Sequence, residues 1–255
     1  DVTHSVVETE DGKLEERTNT IFSPQEFVVN IGPQHPATHG VLRLRTSLDG
    51  ETVKKIDVYC GYVHRGIEKL CESLTYPQTL HFADRLDYLS AVCLCIEDAL
   101  QVEVPARAQY IRTIMDELMR ISSHLLFWST FCMDLGGTTA FFYGFRDREK
   151  ILDIFEETCG ARMTFNYYTI GGLMADLHPD FQRKVKEFCA YMPAKLKEYH
   201  TLFTGNVIAQ QRMKGVGVLS REDAISYGIA GPSGRASGWA CDVRKNHPYA
   251  MYDKV

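Results

Sequence analysis

The chain has 255 residues, of which 45% are hydrophobic and 24% charged, and its formal net charge is -5. These values are ordinary for a globular protein with a large buried core, and with this net charge the molecule as a whole carries no basic field for nucleic acid. No apolar run approaches the roughly 20 residues that span a bilayer, so we expect no membrane-spanning segment within these residues.

The first 62 residues predict a tail followed by a small sheet. Residues 1–23 are rich in acidic residues and threonine and predict a disordered linker or tail. Residues 24–62 predict an antiparallel region in which Asp49 and Gly50 form a hairpin turn. We predict its strands at Phe27 to Ile31, Val41 to Leu48 and Thr52 to Cys60.

Helical periodicity dominates residues 63–204, which predict a helical core. Asp84 is predicted to cap a helix that is apolar all round and therefore buried. The helices are predicted at Gly66 to Leu74, Asp84 to Gln101, Pro105 to Met133, Thr139 to Cys159 and Pro179 to Thr204. Residues 205–255 are rich in glycine and predict loops and strand, truncated at the C-terminus, around one short helix at Ser220 to Tyr227. The fold class is therefore predicted as α+β, mainly helical, with a small N-terminal antiparallel sheet packed on the helical core.

The eight cysteines form no Cys-x-x-Cys pair, and most lie among apolar residues. This pattern predicts reduced thiols that pack in the interior, with neither a disulfide framework nor a metal site. His81 and His124 stand singly among apolar residues, so we expect core histidines rather than ligands.

Residues 32–40 form the most distinctive stretch, with His35 and His39 four residues apart between glycines and prolines. We predict a rigid loop between two strands, because Pro36 would interrupt a helix. Imidazole exchanges protons near neutral pH, which makes the loop a candidate site. The alternative is a tight turn whose histidines only bond backbone groups, and spacing alone favours that alternative.

Two further charged motifs are candidates. Arg85, Asp87 and Tyr88 open a helix that is otherwise apolar, and the helix dipole explains Asp87 but not the other two. Met133 and Asp134 end the long helix, where a carboxylate is unfavourable to the dipole unless it is solvated or close to a cation. A solvated helix end and a functional carboxylate are equally compatible with that position.

Several stretches together resemble one family. Val29 to Leu44 closely resembles the opening of the quinone-site subunit of respiratory complex I, which is the D subunit of the bacterial NADH:quinone oxidoreductase and the forty-nine-kilodalton subunit of mitochondria. The likeness continues through His64 to Lys69, Asp84 to Tyr88, Cys159 to Arg162 and Gly231 to Tyr249.

The resemblance implies a site for quinone. His39 and Tyr88 would hydrogen-bond the two carbonyls of the headgroup, and Asp134 would hold and tune His39. His35 and Met133 would also contact the quinone. Arg85 and Asp87 would lie near the iron–sulfur cluster of the neighbouring B subunit.

The resemblance also implies the setting of the chain. It would bind no cofactor itself, since the iron–sulfur cluster and NAD(H) would belong to partner subunits. Its partners would be the B subunit, the membrane subunits and the C subunit, for which residues 1–23 could be the linker of an upstream fusion. The complex would translocate protons, and this chain would lie peripherally on the cytoplasmic face of the bacterial inner membrane.

Two alternatives stay open. The family is similar in fold to the large subunit of nickel–iron hydrogenases, which carry a cysteine pair where this chain has Asp87 and Ser90. The chain could therefore be a scaffold without an active site of its own. A true hydrogenase subunit is disfavoured by the missing cysteine pair, because nickel would lose two thiolate ligands.

Overall fold

The computed structural model describes residues 3–8, 14–19, 27–35, 38, 40–84 and 88–255. The chain divides into two units, residues 1–65 and residues 66–255. The strands of the first unit are β1 Thr3–Glu8, β2 Leu14–Asn19, β3 Phe27–Ile31, β4 Gln34–His35, β5 Gly40–Val41, β6 Arg43–Asp49 and β7 Thr52–Tyr59. The second unit begins with helices α1 Ile67–Cys71, α2 Tyr76–Asp84, α3 Leu89–Leu100, α4 Ala106–Asp134 and α5 Thr138–Cys159. It continues with strands β8 Tyr168–Thr169 and β9 Gly172–Leu173, helix α6 Phe181–Tyr199, a π-helical turn His200–Thr204, and helices α7 Val207–Met213, α8 Arg221–Ser226, α9 Gly231–Ala236 and α10 Val243–Asn246.

The first unit contains the predicted antiparallel sheet, in the order β3-β6-β7. Asp49 pairs with Thr52, which leaves a two-residue turn in which Gly50 has a φ of 60°. The predicted strand from Val41 to Leu48 is divided at Leu42, because its first part pairs with β4 rather than with the sheet. Strands β1 and β2 pair antiparallel within the segment that the composition predicts as a structureless tail.

The core of the second unit is built around α4 and α5, which a three-residue connection joins into a helical hairpin. The helical periodicity predicts an apolar stripe along α4 that consists of Ile111, Ile114, Met115, Leu118, Ile121 and Leu125. Four of these side chains are buried and Ile121 is half-buried, whereas Ile114 is 39% exposed. Gly144 of α5 faces α4 so closely that a Cβ atom there would lie 1.9 Å from the Ser129 hydroxyl oxygen. The missing side chain therefore permits the close approach of the two helices.

Helix α2 is absent from the prediction, and the proposed cap at Asp84 is wrong. Asp84 is the buried last residue of α2, whereas Tyr88 precedes α3. The missed start signal is half of a capping box, in which the Gln78 side chain accepts a hydrogen bond from the Thr75 N–H at 3.0 Å.

Three further predictions differ from the structure. Helix α3 is buried on one side only, because Cys95 and Leu100 are exposed. His81 and His124 are exposed rather than core residues. Residues 205–255 contain four short helices and no strand, since side chains such as Ser220 cap helices that the glycines then end. The fold class, α+β and mainly helical with a small antiparallel sheet, is confirmed.

Candidate functional site

The histidine loop is a short hairpin in the first unit. Gln34 pairs with Val41 and His35 with Gly40, and the Thr38 hydroxyl donates to the His35 carbonyl at 2.8 Å. Only glycine fits position 32, because a Cβ atom would lie 1.9 Å from the Leu42 carbonyl oxygen. This geometry agrees with the predicted loop between two strands, and it exposes His35. His39 lies outside the described residues.

Tyr88 stands between α2 and α3 in the second unit. Its backbone N–H donates to the Ala83 carbonyl at 2.9 Å, and its carbonyl accepts from Val92 at 3.1 Å. These bonds tie the backbone of Tyr88 to both helices while its side chain stays 64% exposed. The neighbouring predictions at Arg85 and Asp87 fall outside the described residues.

Tyr88 lines a cavity of about 600 Å³ between α3, α4 and the C-terminal segment. Its walls are partly apolar, with side chains such as Leu94 and Met119. Its polar lining consists of Tyr88, Ser90, Asp116, Arg120, His124 and Tyr249, together with Ser123. A volume of this size, with apolar side chains and several polar groups directed at one space, is typical of small-molecule sites.

Asp116 is held in that cavity by two side-chain hydrogen bonds. The Ser90 hydroxyl donates to its Oδ2 atom at 2.8 Å, and the Tyr168 hydroxyl donates to its Oδ1 atom at 2.7 Å. Loss of hydration raises the pKa of the Asp116 carboxyl above its ordinary value, although both hydrogen bonds oppose this shift.

A buried ion pair fixes the strand that carries Tyr168. Arg112 is 1% exposed and Glu97 is 4% exposed, and they form two parallel hydrogen bonds of 2.7 and 2.8 Å. Arg112 also donates to the carbonyls of Thr169 and Gly172, and Glu97 accepts from the Gly171 N–H. Helices α3 and α4 are therefore hydrogen-bonded to the β8–β9 hairpin through these two side chains.

A second cluster brings Tyr249 to the cavity. Arg244 and Tyr252 both donate to the Glu117 carboxylate of α4. Glu117 thereby holds the C-terminal segment against α4. No local sequence pattern indicates this contact, because the partners are more than a hundred residues apart.

Asp134 and Met133 lie at the C-terminal end of α4. Asp134 is exposed, and Met133 is half-buried. Arg212 donates to the neighbouring Leu135 carbonyl at 2.6 Å, so a cation does stand at this helix end. Neither Met133 nor Asp134 lines the Tyr88 cavity, and Asp134 is about 15 Å along the helix from the cavity residue His124. The predicted contact of Asp134 with His39 stays a prediction.

The described part of the chain contains no candidate metal-binding cluster and no candidate membrane span. No group of three or more His, Cys, Asp or Glu side chains there could hold a metal ion. No helix among the same residues combines the length and the apolarity needed to cross a membrane. The cysteines are free thiols, of which Cys93 and Cys132 are buried whereas Cys60, Cys95 and Cys189 are exposed, so the interior packing role holds for only part of the set.

The comparisons with known proteins all indicate one family. A family model described as the respiratory-chain NADH dehydrogenase 49 kDa subunit matches residues 134–255. The C/D subunit of the NADH-quinone oxidoreductase of Phocaeicola vulgatus is 68% identical over the whole chain and 50% of its own length. The corresponding C/D subunit of Bacteroides thetaiotaomicron is 65% identical. The chain spans about half the length of these curated relatives.

Shorter relatives and a solved structure agree. The D subunit of the NADH-quinone oxidoreductase of Bacillus cytotoxicus is 45% identical over 90% of this chain and 64% of its own length. A chain in the structure of the membrane-bound sulfane sulfur reductase, an archaeal respiratory membrane complex, is 31% identical with a TM-score of 0.85. That match covers 91% of this chain and 64% of the other.

Proposed function

Because the chain belongs to the family of the 49 kDa subunit of respiratory-chain NADH dehydrogenase, which is the D subunit of NADH-quinone oxidoreductase, we propose that it forms the quinone-reduction site of such an enzyme. The B subunit shares this site and, with its iron–sulfur cluster bound, supplies electrons that originate from NADH. The C subunit belongs to the same polypeptide, a proposal supported by the relatives whose names join C and D. The complex translocates protons, and this chain lies in its peripheral arm at the cytoplasmic face of the inner membrane.

The observation that carries the proposal is the Tyr88 cavity. Its volume of about 600 Å³ accommodates an aromatic headgroup. Its apolar wall suits the faces of a planar ring, and the Tyr88 phenol supplies a hydrogen-bond donor at the edge. The cavity therefore supports quinone as the substrate.

The proposed chemistry is proton donation to the reduced quinone. Two-electron reduction builds negative charge on the two quinone oxygens, and each oxygen takes one proton. Tyr88 donates to one oxygen and His39 to the other, while Asp134 orients His39. His35 and Met133, which do not line the Tyr88 cavity, contact the quinone beyond that lining, and Arg85 and Asp87 face the B subunit. The deprotonated donors then draw protons from elsewhere, which couples the chemistry to a conformational change.

Tyr88→Phe in the assembled complex tests this proposal. The phenyl ring keeps the packing and removes only the donor, so we expect NADH-driven quinone reduction to fall about 100-fold or more. Reduction of a one-electron acceptor upstream of the quinone site should stay at the wild-type rate. Tyr227→Phe is the matched control, because Tyr227 is 79% exposed and does not line the cavity.

Wild-type turnover of Tyr88→Phe at every quinone concentration would refute the role of Tyr88. It would favour a scaffold subunit whose site lies elsewhere in the complex. Loss of subunit assembly in Tyr88→Phe but not in Tyr227→Phe would likewise contradict the proposal, since it would make Tyr88 a structural residue.

A further inference from the structure

We infer that Asp116 returns a proton to Tyr88 after each quinone reduction, an inference that rests on the proposed function. Asp116 and Tyr88 line the same cavity, one from α4 and the other from the start of α3. Ser90 also lines it, two residues after Tyr88, and its hydroxyl donates to the Asp116 carboxyl at 2.8 Å. A hydroxyl close to Tyr88 in sequence is thus bonded directly to the carboxyl.

The carboxyl is held in a fixed orientation. The Tyr168 hydroxyl donates to Asp116 Oδ1 at 2.7 Å and Ser90 donates to Oδ2 at 2.8 Å, so both oxygens have partners from other elements. Tyr168 is itself held, because Arg112 binds the backbone carbonyl of the adjacent Thr169 at 2.7 Å. An aspartate that served only to bridge α3 and β8 would not need to line a cavity, whereas Asp116 does.

The groups around Asp116 act on its two protonation states in opposite directions. Loss of hydration disfavours the carboxylate and raises the pKa of the carboxyl, and Arg120 and Arg112 of its own helix favour the carboxylate. The guanidinium of Arg112 is already engaged by Glu97. Across the cavity wall, α3 contributes the uncharged Ser90 and Cys93, and burial raises the pKa of the Cys93 thiol to about 11.

The other acid–base groups near Asp116 are poorly suited to the same task. Burial raises the pKa of Tyr168 well above its ordinary value, so this phenol keeps its proton. Loss of hydration and the charge of Arg120 lower the pKa of His124, so this imidazole is neutral near pH 7. Asp116 is the carboxyl among the lining residues of this cavity, and its hydrogen bond with Ser90 gives it the direct link toward Tyr88 that these other groups lack.

The proposed step moves protons only. The Tyr88 O–H bond breaks as its proton forms an O–H bond on the reduced quinone, whose electrons come through the B subunit. The carboxylic acid of Asp116 then gives its proton, through the Ser90 hydroxyl and solvent within the cavity, to the Tyr88 phenolate. The Asp116 carboxylate keeps the hydrogen bonds from Ser90 and Tyr168 and regains a proton from solvent before the next turnover.

Asp116→Asn in the intact complex tests the inference. The amide oxygen still accepts a hydrogen bond, but the group carries no exchangeable acid proton at any working pH. We expect NADH-driven quinone reduction to fall about tenfold or more. The wild-type rate should decline as pH rises through the pKa of Asp116, and this decline should vanish in the variant. Asp116→Glu should restore both the rate and the decline, which a purely structural role would not produce.

Asp98→Asn is the matched control, an exposed aspartate of α3 that does not line this cavity. Ser90→Ala tests the same link without altering charge, and we expect a several-fold slower rate.

If Tyr88→Phe is impaired while Asp116→Asn and Ser90→Ala match Asp98→Asn in rate and pH profile, this inference falls and the proposed function stands. If Tyr88→Phe itself turns over quinone normally, both fall. If the decline of the rate with rising pH disappears in His124→Gln and persists in Asp116→Asn, His124 carries the proton and the role of Asp116 is overturned.

Discussion

Glu97→Gln leaves the Arg112 guanidinium buried without its counter-charge. Arg112 and Glu97 are 1% and 4% exposed and are joined by two hydrogen bonds. Removing one member of such a pair typically costs about 3–5 kcal/mol, because the remaining ion stays desolvated and uncompensated. The glutamine oxygen can still accept the Gly171 N–H, so the substitution isolates the loss of charge from the loss of shape.

Urea unfolding of the purified chain, followed by far-ultraviolet circular dichroism, measures this cost. With an m value of roughly 2–3 kcal/mol/M, the midpoint should fall by about 1 to 2.5 M. Glu187→Gln provides the matched control, because Glu187 forms an exposed pair with Arg183 one helical turn away. That control should leave the midpoint close to the wild-type value, because an exposed ion pair contributes little to stability. Equal midpoints for the two variants would refute the claim that the buried pair anchors the β8–β9 hairpin.

Two other substitutions probe the core and its charges. Gly144→Ala should destabilise the chain by about 1–3 kcal/mol, because the new methyl group meets the Ser129 hydroxyl. Ser129→Ala in the same chain should recover part of that loss in urea unfolding, and an unchanged loss would exclude this contact as the cause. Burial alone would raise the pKa of Asp147, but hydrogen bonds from Arg146 and two tyrosines hold it below its ordinary value of 3.8. The stability supplied by this carboxylate is therefore present above about pH 3.8 and is lost as pH falls through the lower folded-state pKa. The difference in unfolding free energy between wild type and Asp147→Asn should consequently shrink in acid. A constant difference from about pH 6 to about pH 2 would contradict the assignment.

The parts of the fold that follow local patterns were predictable from the sequence. The apolar spacing of residues such as Ile111, Met115 and Leu118 located the long helix α4 and most of its buried face, although Ile114 of the same predicted stripe is exposed. Gly160 ends α5 in a left-handed conformation directly after the predicted last residue Cys159, and the Ser220 side chain caps α8 at the predicted start of that helix. In each case the signal lies within a few residues of the structure that it specifies.

The parts that were missed depend on contacts between distant residues or on weak local signals. Helix α2 lacks a strong apolar stripe, and its start depends on the side chain of Gln78. Asp116 and Tyr168 are 52 residues apart, so no local pattern joins them. An aspartate beside an apolar stripe is typical of a solvated position, whereas the folded chain places it at the wall of a cavity.

The site residues depended on a different kind of information. The family resemblance identified Tyr88, and the structure adds the cavity that Tyr88 lines. The roles of His39 and Asp134 rest on the resemblance alone. Spacing could not have suggested them, since the three residues are far apart in the sequence.

A structure of the assembled complex with quinone bound tests the central claim most directly. The proposed site predicts one quinone oxygen within about 3 Å of the Tyr88 hydroxyl and the other within the same distance of His39. It also predicts that the Asp134 carboxylate accepts a hydrogen bond from His39. A headgroup bound away from Tyr88, or an Asp134 side chain directed away from His39, would contradict the assignment of this chain as the quinone-protonating subunit.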